Sequence, residues 1–168
     1  MVSLFKFILY IFKSLAVYRG TYMRGTVTFL DNTLVYLFNK KPTRGPLFIG
    51  WDLTFRCNAY CSFCNTHELE KNSKDLTTED CLRIVREMGE CGVWHLSLTG
   101  GETLLRKDLF DIIKEAKKYN ILVNVNTNGF LLSKKAKKLI ESGVDTVTIS
   151  LDSINDDVHD GNRKIPNL

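Results

Sequence analysis

The sequence predicts an α/β fold in which parallel strands alternate with helices along the chain. Between Leu47 and Leu151, four short candidate strands are separated by segments with helical periodicity. Strands and helices that alternate in this way form βαβ units with a parallel sheet and right-handed crossovers. The chain has 168 residues, of which 44% are hydrophobic and 25% charged. This composition is typical of a globular domain and excludes a disordered or disulfide-dense chain.

The first 46 residues form a separate segment ahead of this pattern. Met1–Tyr18 is apolar but contains Lys6 and Lys13, so no stretch reaches the ~20 apolar residues that a membrane span needs. Two interpretations stay open for it: a helix packed on the rest of the protein, or an interfacial helix resting on a membrane. Val27–Phe38 is β-branched and aromatic, and fits either a hairpin or a helix. Lys40–Pro46, with two prolines and a glycine, is predicted to be a linker.

The predicted core domain covers residues 47–168. Its expected strands are Leu47–Thr54, Val93–Thr99, Ile121–Thr127 and Val144–Leu151, and its expected helices are Thr77–Glu90, Lys107–Tyr119 and Ser133–Ser142. Thr77 is placed to cap the first helix, with Asp80 three residues later. Gly143 follows the third helix at the position where a glycine commonly ends one. Cys81 and Cys91, in and just after the first helix, are predicted to be small buried hydrophobic residues.

Polar residues alternate with apolar residues along three of the predicted strands. The polar set is His95, Ser97 and Thr99, then Asn124 and Asn126, then Thr146, Thr148 and Ser150. Because alternate residues of a strand share a face, the sheet has one apolar face for the helices and one polar face. We expect the polar face to line a curved sheet and to hold water or a polar ligand, since an unpaired buried polar group costs roughly 1–3 kcal/mol. A single sheet with an exposed face is the alternative, because Trp51 and Leu53 obscure the pattern in the first strand.

Three of the five cysteines, Cys57, Cys61 and Cys64, lie in one short loop after the first strand. This C-x3-C-x2-C spacing indicates metal or cluster ligation in a reducing compartment. Three thiolates can hold an iron–sulfur cluster and leave one iron without a protein ligand. A structural zinc site is the alternative, and it needs a fourth ligand, for which His67 is the nearby candidate.

The cysteine loop resembles the signature of the radical S-adenosylmethionine (SAM) enzymes, and further segments agree with that family in order along the chain. They are Thr99–Glu102 after the second strand, Thr127–Gly129 after the third, Ser150–Ser153 after the fourth and Val158–Arg163 beyond it. These resemble the family's Gly-Gly-Glu motif, Thr-Asn-Gly turn and Ser-Leu-Asp segment, and a His-Asp-x-x-Arg segment of members that modify peptides or make cofactors. Thr103 stands where the family usually has proline. The resemblance runs from about Trp51 to Arg163.

The resemblance implies a partial βα (TIM-like) barrel, of which this chain supplies the first four strands. It implies that Cys57, Cys61 and Cys64 hold a 4Fe–4S cluster whose open iron binds SAM. An electron from a flavodoxin- or ferredoxin-type donor then cleaves SAM to methionine and a 5′-deoxyadenosyl radical, which abstracts a hydrogen atom from a substrate that the sequence does not identify. Such oxygen-sensitive chemistry is expected in the cytoplasm. Peripheral contact with a membrane through residues 1–18 is a further expectation.

Matching positions imply SAM contacts for five further residues. The backbone of Gly100 and Gly101 approaches the cofactor closely because no Cβ intervenes. Glu102 accepts hydrogen bonds from the ammonium group of the methionine part. Phe63 contacts the adenine, and Ser150 hydrogen-bonds the methionine or ribose part.

Five more residues are expected beside the site with weaker assignments. Turn chemistry accounts for Asn128 and Asp152. Arg56, Asn58 and Arg163 are expected near the cofactors without a specific role.

The family's barrel usually has more βα units than the four predicted here. Two alternatives therefore accompany the enzymatic interpretation: a non-catalytic iron–sulfur fragment, and half of a split enzyme completed by a chain that supplies the missing strands. We expect the isolated chain to bind a cluster but to turn over slowly. No nucleic-acid partner is expected, because the net charge is only +4 and the lysines of Lys134–Lys138 fall on one solvated helix.

Overall fold

The computed structural model describes residues 19–38 and 43–164, so the predictions for Met1–Tyr18 and for part of the linker lie outside the described residues. A single helix, α1 (Arg19–Phe38), precedes the sheet. The choice left open for Val27–Phe38 is therefore settled in favour of a helix. No helix within the described ranges combines the length and hydropathy needed to cross a membrane.

The remaining elements alternate as predicted. The strands are β1 (Phe48–Thr54), β2 (His95–Gly100), β3 (Leu122–Thr127) and β4 (Thr146–Ile149). The helices are α2 (Thr66–Asn72), α3 (Thr78–Glu90), α4 (Leu109–Lys118), α5 (Leu132–Ser142) and α6 (Asp156–Arg163), with a 3-10 turn at Thr103–Leu105 after β2. All strands are parallel in the order β1-β2-β3-β4. This arrangement confirms the predicted α/β fold with the first four strands of a partial barrel.

Two helix ends follow the local signals in the sequence. The backbone N–H of Asp80 donates to Thr77 Oγ1 at 3.1 Å, which satisfies one of the free amides at the start of α3. After α5, Gly143 adopts a left-handed conformation with φ of 83°, which a residue with a side chain adopts only at a cost. Both predicted caps are confirmed.

Two short helices were not predicted. Helix α2 buries none of its residues, so it has no apolar periodicity that would predict it. Helix α6 begins after Asn155, whose side chain accepts a hydrogen bond from the Val158 amide at 3.2 Å. An asparagine N-cap is a recognisable sequence signal, so α6 could have been predicted from the sequence.

The strand register separates an apolar face from a polar face. Leu96 and Leu98 of β2 and Val123 and Val125 of β3 are fully buried against the helices. Trp51 is paired with Leu98 and therefore lies on that same apolar face. The first strand thus follows the same alternation from Ile49 onward, whereas Phe48 pairs with His95 and places an aromatic ring on the polar face.

The polar face forms its own hydrogen-bond network. Asn124 and Asn126 donate to Ser97 Oγ at 3.2 and 2.9 Å, and Thr146 and Thr148 donate to Asn124 Oδ1 at 2.8 and 3.0 Å. Much of the polar character noted in the sequence is therefore satisfied between strands. Only the residues nearest the carboxyl ends of the strands lie at the cavity described below.

One prediction about the remaining cysteines is wrong. Cys81 is fully buried, as expected, but Cys91 is exposed. Cys91 is the C-cap residue of α3, beyond the last turn that faces the core, so helical periodicity no longer determines its burial.

Candidate functional site

The carboxyl ends of the four strands surround one cavity, and the cysteine loop forms one wall of it. Cys57, Cys61 and Cys64 line this cavity. The opposite wall comes from the residues at the carboxyl ends of three strands, which we call the strand exits. They are Thr99, Gly100 and Gly101 at β2, Asn126, Thr127 and Asn128 at β3, and Ser150 at β4, together with Arg163 at the end of α6. Ligands bind at this end of parallel sheets because the loops that follow the strands converge there.

The three thiols differ in exposure and ionisation. Cys57 and Cys61 are half-buried, whereas Cys64 is exposed. Burial raises the pKa of the Cys57 thiol, and burial also raises the pKa of Cys61, where Arg163 opposes the effect. Within the described ranges, no three His, Cys, Asp or Glu side chains are grouped so as to hold a metal ion. The thiols therefore line the cavity without being drawn together.

The donor set fits an iron–sulfur cluster. Soft thiolates are the ligands that such clusters prefer, and three of them come from a single loop. The wall facing them is polar, with Thr99, Asn126 and Ser150 among its residues, so it suits a polar ligand bound between this wall and the sulfurs.

His67 is not available as a fourth zinc ligand in this arrangement. Its Nε2 lies 2.6 Å from the carbonyl oxygen of Ala59, and its ring stacks on Tyr60 with the centroids 4.1 Å apart. Its Nδ1 lies 3.7 Å from a carboxylate oxygen of Glu70. The zinc alternative therefore lacks the ligand on which it depended.

The end of α6 holds the cysteine loop by its backbone. The carbonyl of Arg163 accepts from the Tyr60 amide at 3.2 Å, and the carbonyl of Asn162 accepts from the Ser62 amide at 3.0 Å. The last carbonyls of a helix have no partner within the helix, so the loop amides satisfy them. The segment after β4 thereby fixes the position of a loop more than 90 residues earlier in the chain.

The guanidinium of Arg163 connects three parts of the site. It donates to both carboxylate oxygens of Asp152, at 2.5 and 3.0 Å, and this bond lowers the pKa of Asp152. It also lies over the Phe63 ring, 5.6 Å from the centroid. The sequence had given Arg163 no specific role and had left Asp152 to a turn.

Gly100 and Gly101 permit a close approach of two loops. A Cβ on Gly100 would lie 2.2 Å from the Thr54 carbonyl oxygen, and one on Gly101 would lie 2.3 Å from the Arg56 carbonyl oxygen. The amide of Gly101 donates to Thr54 O at 2.7 Å. These glycines therefore join the exits of β1 and β2, in addition to lining the cavity.

Glu102 lies behind the cavity wall and is fully buried. Its carboxylate accepts from the amide of Leu104 at 2.9 Å, from the hydroxyl of Thr127 at 2.8 Å and from the amide of Asn128 at 2.8 Å. The carboxylate thus joins the exits of β2 and β3. All three donors are groups of the protein, and Glu102 is not among the residues that line the cavity.

Asn128 does more than shape a turn. Its Oδ1 accepts from the Phe130 amide at 3.1 Å, which is the expected turn role. Its Nδ2 also donates to Asn58 Oδ1 at 2.9 Å, which ties the turn to the cysteine loop. The remaining sequence candidate, Arg56, is paired with Asp75 at 2.9 Å, and its side chain is not part of the cavity wall.

The family model described as "Radical SAM superfamily" matches residues 51–167. The chain belongs to the radical SAM superfamily. Members of this superfamily typically bind a 4Fe–4S cluster and SAM, in agreement with the cysteine loop and the polar cavity beside it.

Curated relatives of this radical SAM chain include enzymes named GTP 3′,8-cyclase. The protein of that name from Clostridium perfringens is 37% identical over 115 residues, which cover 66% of this chain and 36% of that protein. Molybdenum cofactor biosynthesis protein 1 of Dictyostelium discoideum is 36% identical over 127 residues, covering 73% of this chain and 20% of that protein. The chain thus spans about a third or less of the length of these relatives.

Among solved structures, Streptococcus suis SuiB bound to S-adenosylmethionine matches the radical SAM fold of this chain with a TM-score of 0.63 at 20% identity. The match covers 81% of this chain and 32% of that one. This likeness supports the fold of four parallel strands.

Proposed function

We propose that this chain is the cofactor-binding part of a radical SAM enzyme, in which Cys57, Cys61 and Cys64 hold a 4Fe–4S cluster and the facing wall binds SAM. The observation that carries the proposal is that all three thiols and the exits of β2, β3 and β4 line one cavity. When bound there and reduced by an external electron donor, the cluster would supply the electron for cleavage of SAM to methionine and a 5′-deoxyadenosyl radical, which abstracts a hydrogen atom. The substrate is left open.

The cysteines must lose their protons before they can act as ligands. Burial holds Cys57 and Cys61 in the thiol form by raising the pKa of each. Loading with iron and sulfide therefore releases protons, and it becomes more favourable as the pH rises. Cys64, the exposed member, lies 3.2 Å from Thr66 Oγ1 at the start of α2.

The wall opposite the thiols offers groups suited to the polar end of SAM. The hydroxyl of Ser150 has no hydrogen-bond partner within residues 19–38 and 43–164, while its amide is fixed by the Thr127 carbonyl at 2.9 Å. This hydroxyl is free to bind the methionine or ribose part. Gly100 and Gly101 also line the cavity, but a Cβ on either would face the exit of β1, so what they offer SAM is their backbone groups.

Aromatic contact with the adenine is assigned to Phe63. Its ring is 65% exposed and lies beside the cavity, with the Arg163 guanidinium over it. A cation over the ring restrains it, so the ring is held where a second planar group can stack on it. We assign Glu102 a positioning role, because its carboxylate joins the loops that carry these groups.

Anaerobic reconstitution with iron and sulfide tests the cluster. The full chain should bind about four irons and become brown, and Cys57→Ala should lose most of this iron. Cys91→Ala is the matched control, because Cys91 is exposed and lies outside the cavity; it should load like the wild type. A chain that takes up zinc but no iron, or a Cys57→Ala variant that loads normally, would refute the proposal.

SAM binding is tested on the reduced, loaded chain by electron paramagnetic resonance. Addition of SAM should change the cluster spectrum, and Ser150→Ala should weaken this effect. Formation of 5′-deoxyadenosine by the reduced chain then distinguishes an enzyme from a non-catalytic iron–sulfur module. If SAM leaves the spectrum of the loaded chain unchanged, the result would support the non-catalytic iron–sulfur module instead.

A further inference from the structure

Helix α1 is packed with its polar side inward. Thr21, Gly25 and Thr28 are buried against the rest of the protein, and Asn32 and Val35 continue the same face at positions that are partly buried. A helix on the surface of a globular protein usually buries its apolar face and exposes its polar one. Here the buried face is built from glycine and polar residues, with Val35 as the apolar member at its end.

Specific contacts fix this orientation. Thr28 Oγ1 donates to the Gly92 carbonyl at 2.8 Å, and Arg24 Nη1 donates to the Gly89 carbonyl at 2.6 Å. A Cβ on Gly25 would lie 2.9 Å from the Trp94 ring, so the helix lies directly against that indole. The helix could not be turned to bury its other face without breaking these contacts.

The opposite face of α1 is a stripe of large apolar side chains, which we call the outer stripe. Its members recur at spacings of three and four residues: Met23, Val27, Leu30, Leu34 and Leu37. They are 60%, 44%, 52%, 54% and 66% exposed. Each lies two positions from a member of the buried set, or about 200° around the helix. A continuous exposed apolar surface of this kind marks an interaction site.

Charge indicates what covers the outer stripe. The first 46 residues contain seven of the 23 basic residues and one of the 19 acidic residues, so their net charge is +6, against −2 for the rest of the chain. The single acid, Asp31, is tied to Thr43, whose hydroxyl and amide donate to its carboxylate at 2.6 and 3.3 Å. The apolar stripe thus lies in a strongly basic part of the chain.

We propose that the outer stripe of α1 docks on the surface of an anionic phospholipid bilayer. An interfacial helix of this kind buries its apolar residues at the boundary between headgroups and acyl chains, while basic residues attract the acidic lipids. A second copy of the chain suits the surface less well, because its own segment would bring a further charge of +6 to the contact.

Vesicle flotation of the full chain tests this docking. The wild-type chain should float with vesicles of phosphatidylcholine that contain 30% phosphatidylglycerol. A much smaller fraction of it should float with vesicles of phosphatidylcholine alone. The double variant Leu30→Gln/Leu34→Gln should bind at least about tenfold more weakly, because two half-exposed leucines no longer enter the lipid. Both positions are more than half exposed, so the variant should keep the circular dichroism spectrum of the wild type.

A matched control is Ile154→Gln, since Ile154 is 96% exposed and lies outside α1. This variant should float like the wild type. Equal flotation of the double variant and the wild type would overturn the proposal. So would a wild-type dimer in free solution that the double variant converts to a monomer, because the stripe would then be covered by a second copy. Equal binding to neutral vesicles would overturn the assignment to an anionic surface.

Discussion

Arg163 and Asp152 form a bidentate ion pair beside the cysteine loop, with Nη2 and Nε of the arginine 2.5 and 3.0 Å from the two carboxylate oxygens. The pair joins the segment after β4 to the end of α6, whose carbonyls hold the loop. The guanidinium of Arg163 is thereby kept near Cys57 and Cys61, two of the proposed cluster ligands. Its positive charge partly opposes the rise in the pKa of Cys61 that burial causes.

Replacing this cation should change the loaded protein in a measurable way. Arg163→Gln removes the positive charge, so adding an electron to the cluster becomes less favourable and its reduction potential should fall. Arg163→Lys keeps the charge but loses the bidentate geometry, and its potential should lie between those of Arg163→Gln and the wild type. Redox titration of the loaded chains checks this order. A potential unchanged in Arg163→Gln would show that the guanidinium does not act on the cluster.

Glu102 provides a test between two roles. If its carboxylate braces the exits of β2 and β3, Glu102→Ala leaves buried donors unpaired and should lower the free energy of unfolding by about 1–3 kcal/mol even in the cluster-free chain. Urea denaturation measures this loss. Wild-type stability combined with a loss of the SAM effect on the cluster spectrum would instead favour direct contact with the ammonium group.

Gly101 should not tolerate even a methyl group. Gly101→Ala places a Cβ 2.3 Å from the Arg56 carbonyl oxygen, so the exits of β1 and β2 must move apart. We expect a loss of at least about 2 kcal/mol in unfolding free energy together with poorer iron loading. Gly161→Ala is the control, because nothing lies within 4 Å of the added Cβ. Equal stability of the two variants would contradict the close approach.

The ion pair between the buried Arg106 and the partly buried Asp108 predicts sensitivity to acid. The hydrogen bond that Arg106 donates to Asp108, together with a second one from Thr78, lowers the pKa of the Asp108 carboxyl, although burial acts to raise it. A carboxyl whose pKa is lower in the folded state stabilises the fold above its unfolded pKa of about 3.9. That contribution is lost as the pH falls through the folded pKa.

Asp108→Asn should therefore lower the unfolding free energy at pH 7 by about 3 kcal/mol, because Arg106 is left buried without its partner. The difference from the wild type should shrink below pH 4. Urea denaturation at several pH values measures it. A difference that is constant between pH 7 and pH 3 would show that the charge of Asp108 does not stabilise the fold.

Local and periodic features of the fold were predictable from the sequence. The alternation of Ser97 and Asn124 with apolar neighbours gave the two faces of the sheet, and Thr77 and Gly143 gave helix ends, because each signal depends on residues a few positions apart. The three cysteines were found by their spacing in one loop. The position of that loop beside the cavity follows from the parallel strands, whose carboxyl ends share one edge of the sheet.

Long-range contacts were not predictable in the same way. The burial of Glu102 depends on Thr127 and Asn128, and the role of Arg163 depends on a loop about a hundred residues earlier. Periodicity carries no information about such pairs. The orientation of α1 was equally hidden, because its inward face is set by Gly92 and Trp94 rather than by its own apolar residues.

The place where α1 is attached has a consequence for what can reach the cavity. The helix contacts Gly92 and Trp94 just before β2 begins, whereas the cavity lies where β2 ends. Six residues of strand separate the two by roughly 20 Å. A chain bound to lipid through α1 would therefore hold its cavity roughly 20 Å from the point of attachment. On that arrangement the bilayer fixes where the chemistry happens, and a substrate need not be a lipid to reach the cavity.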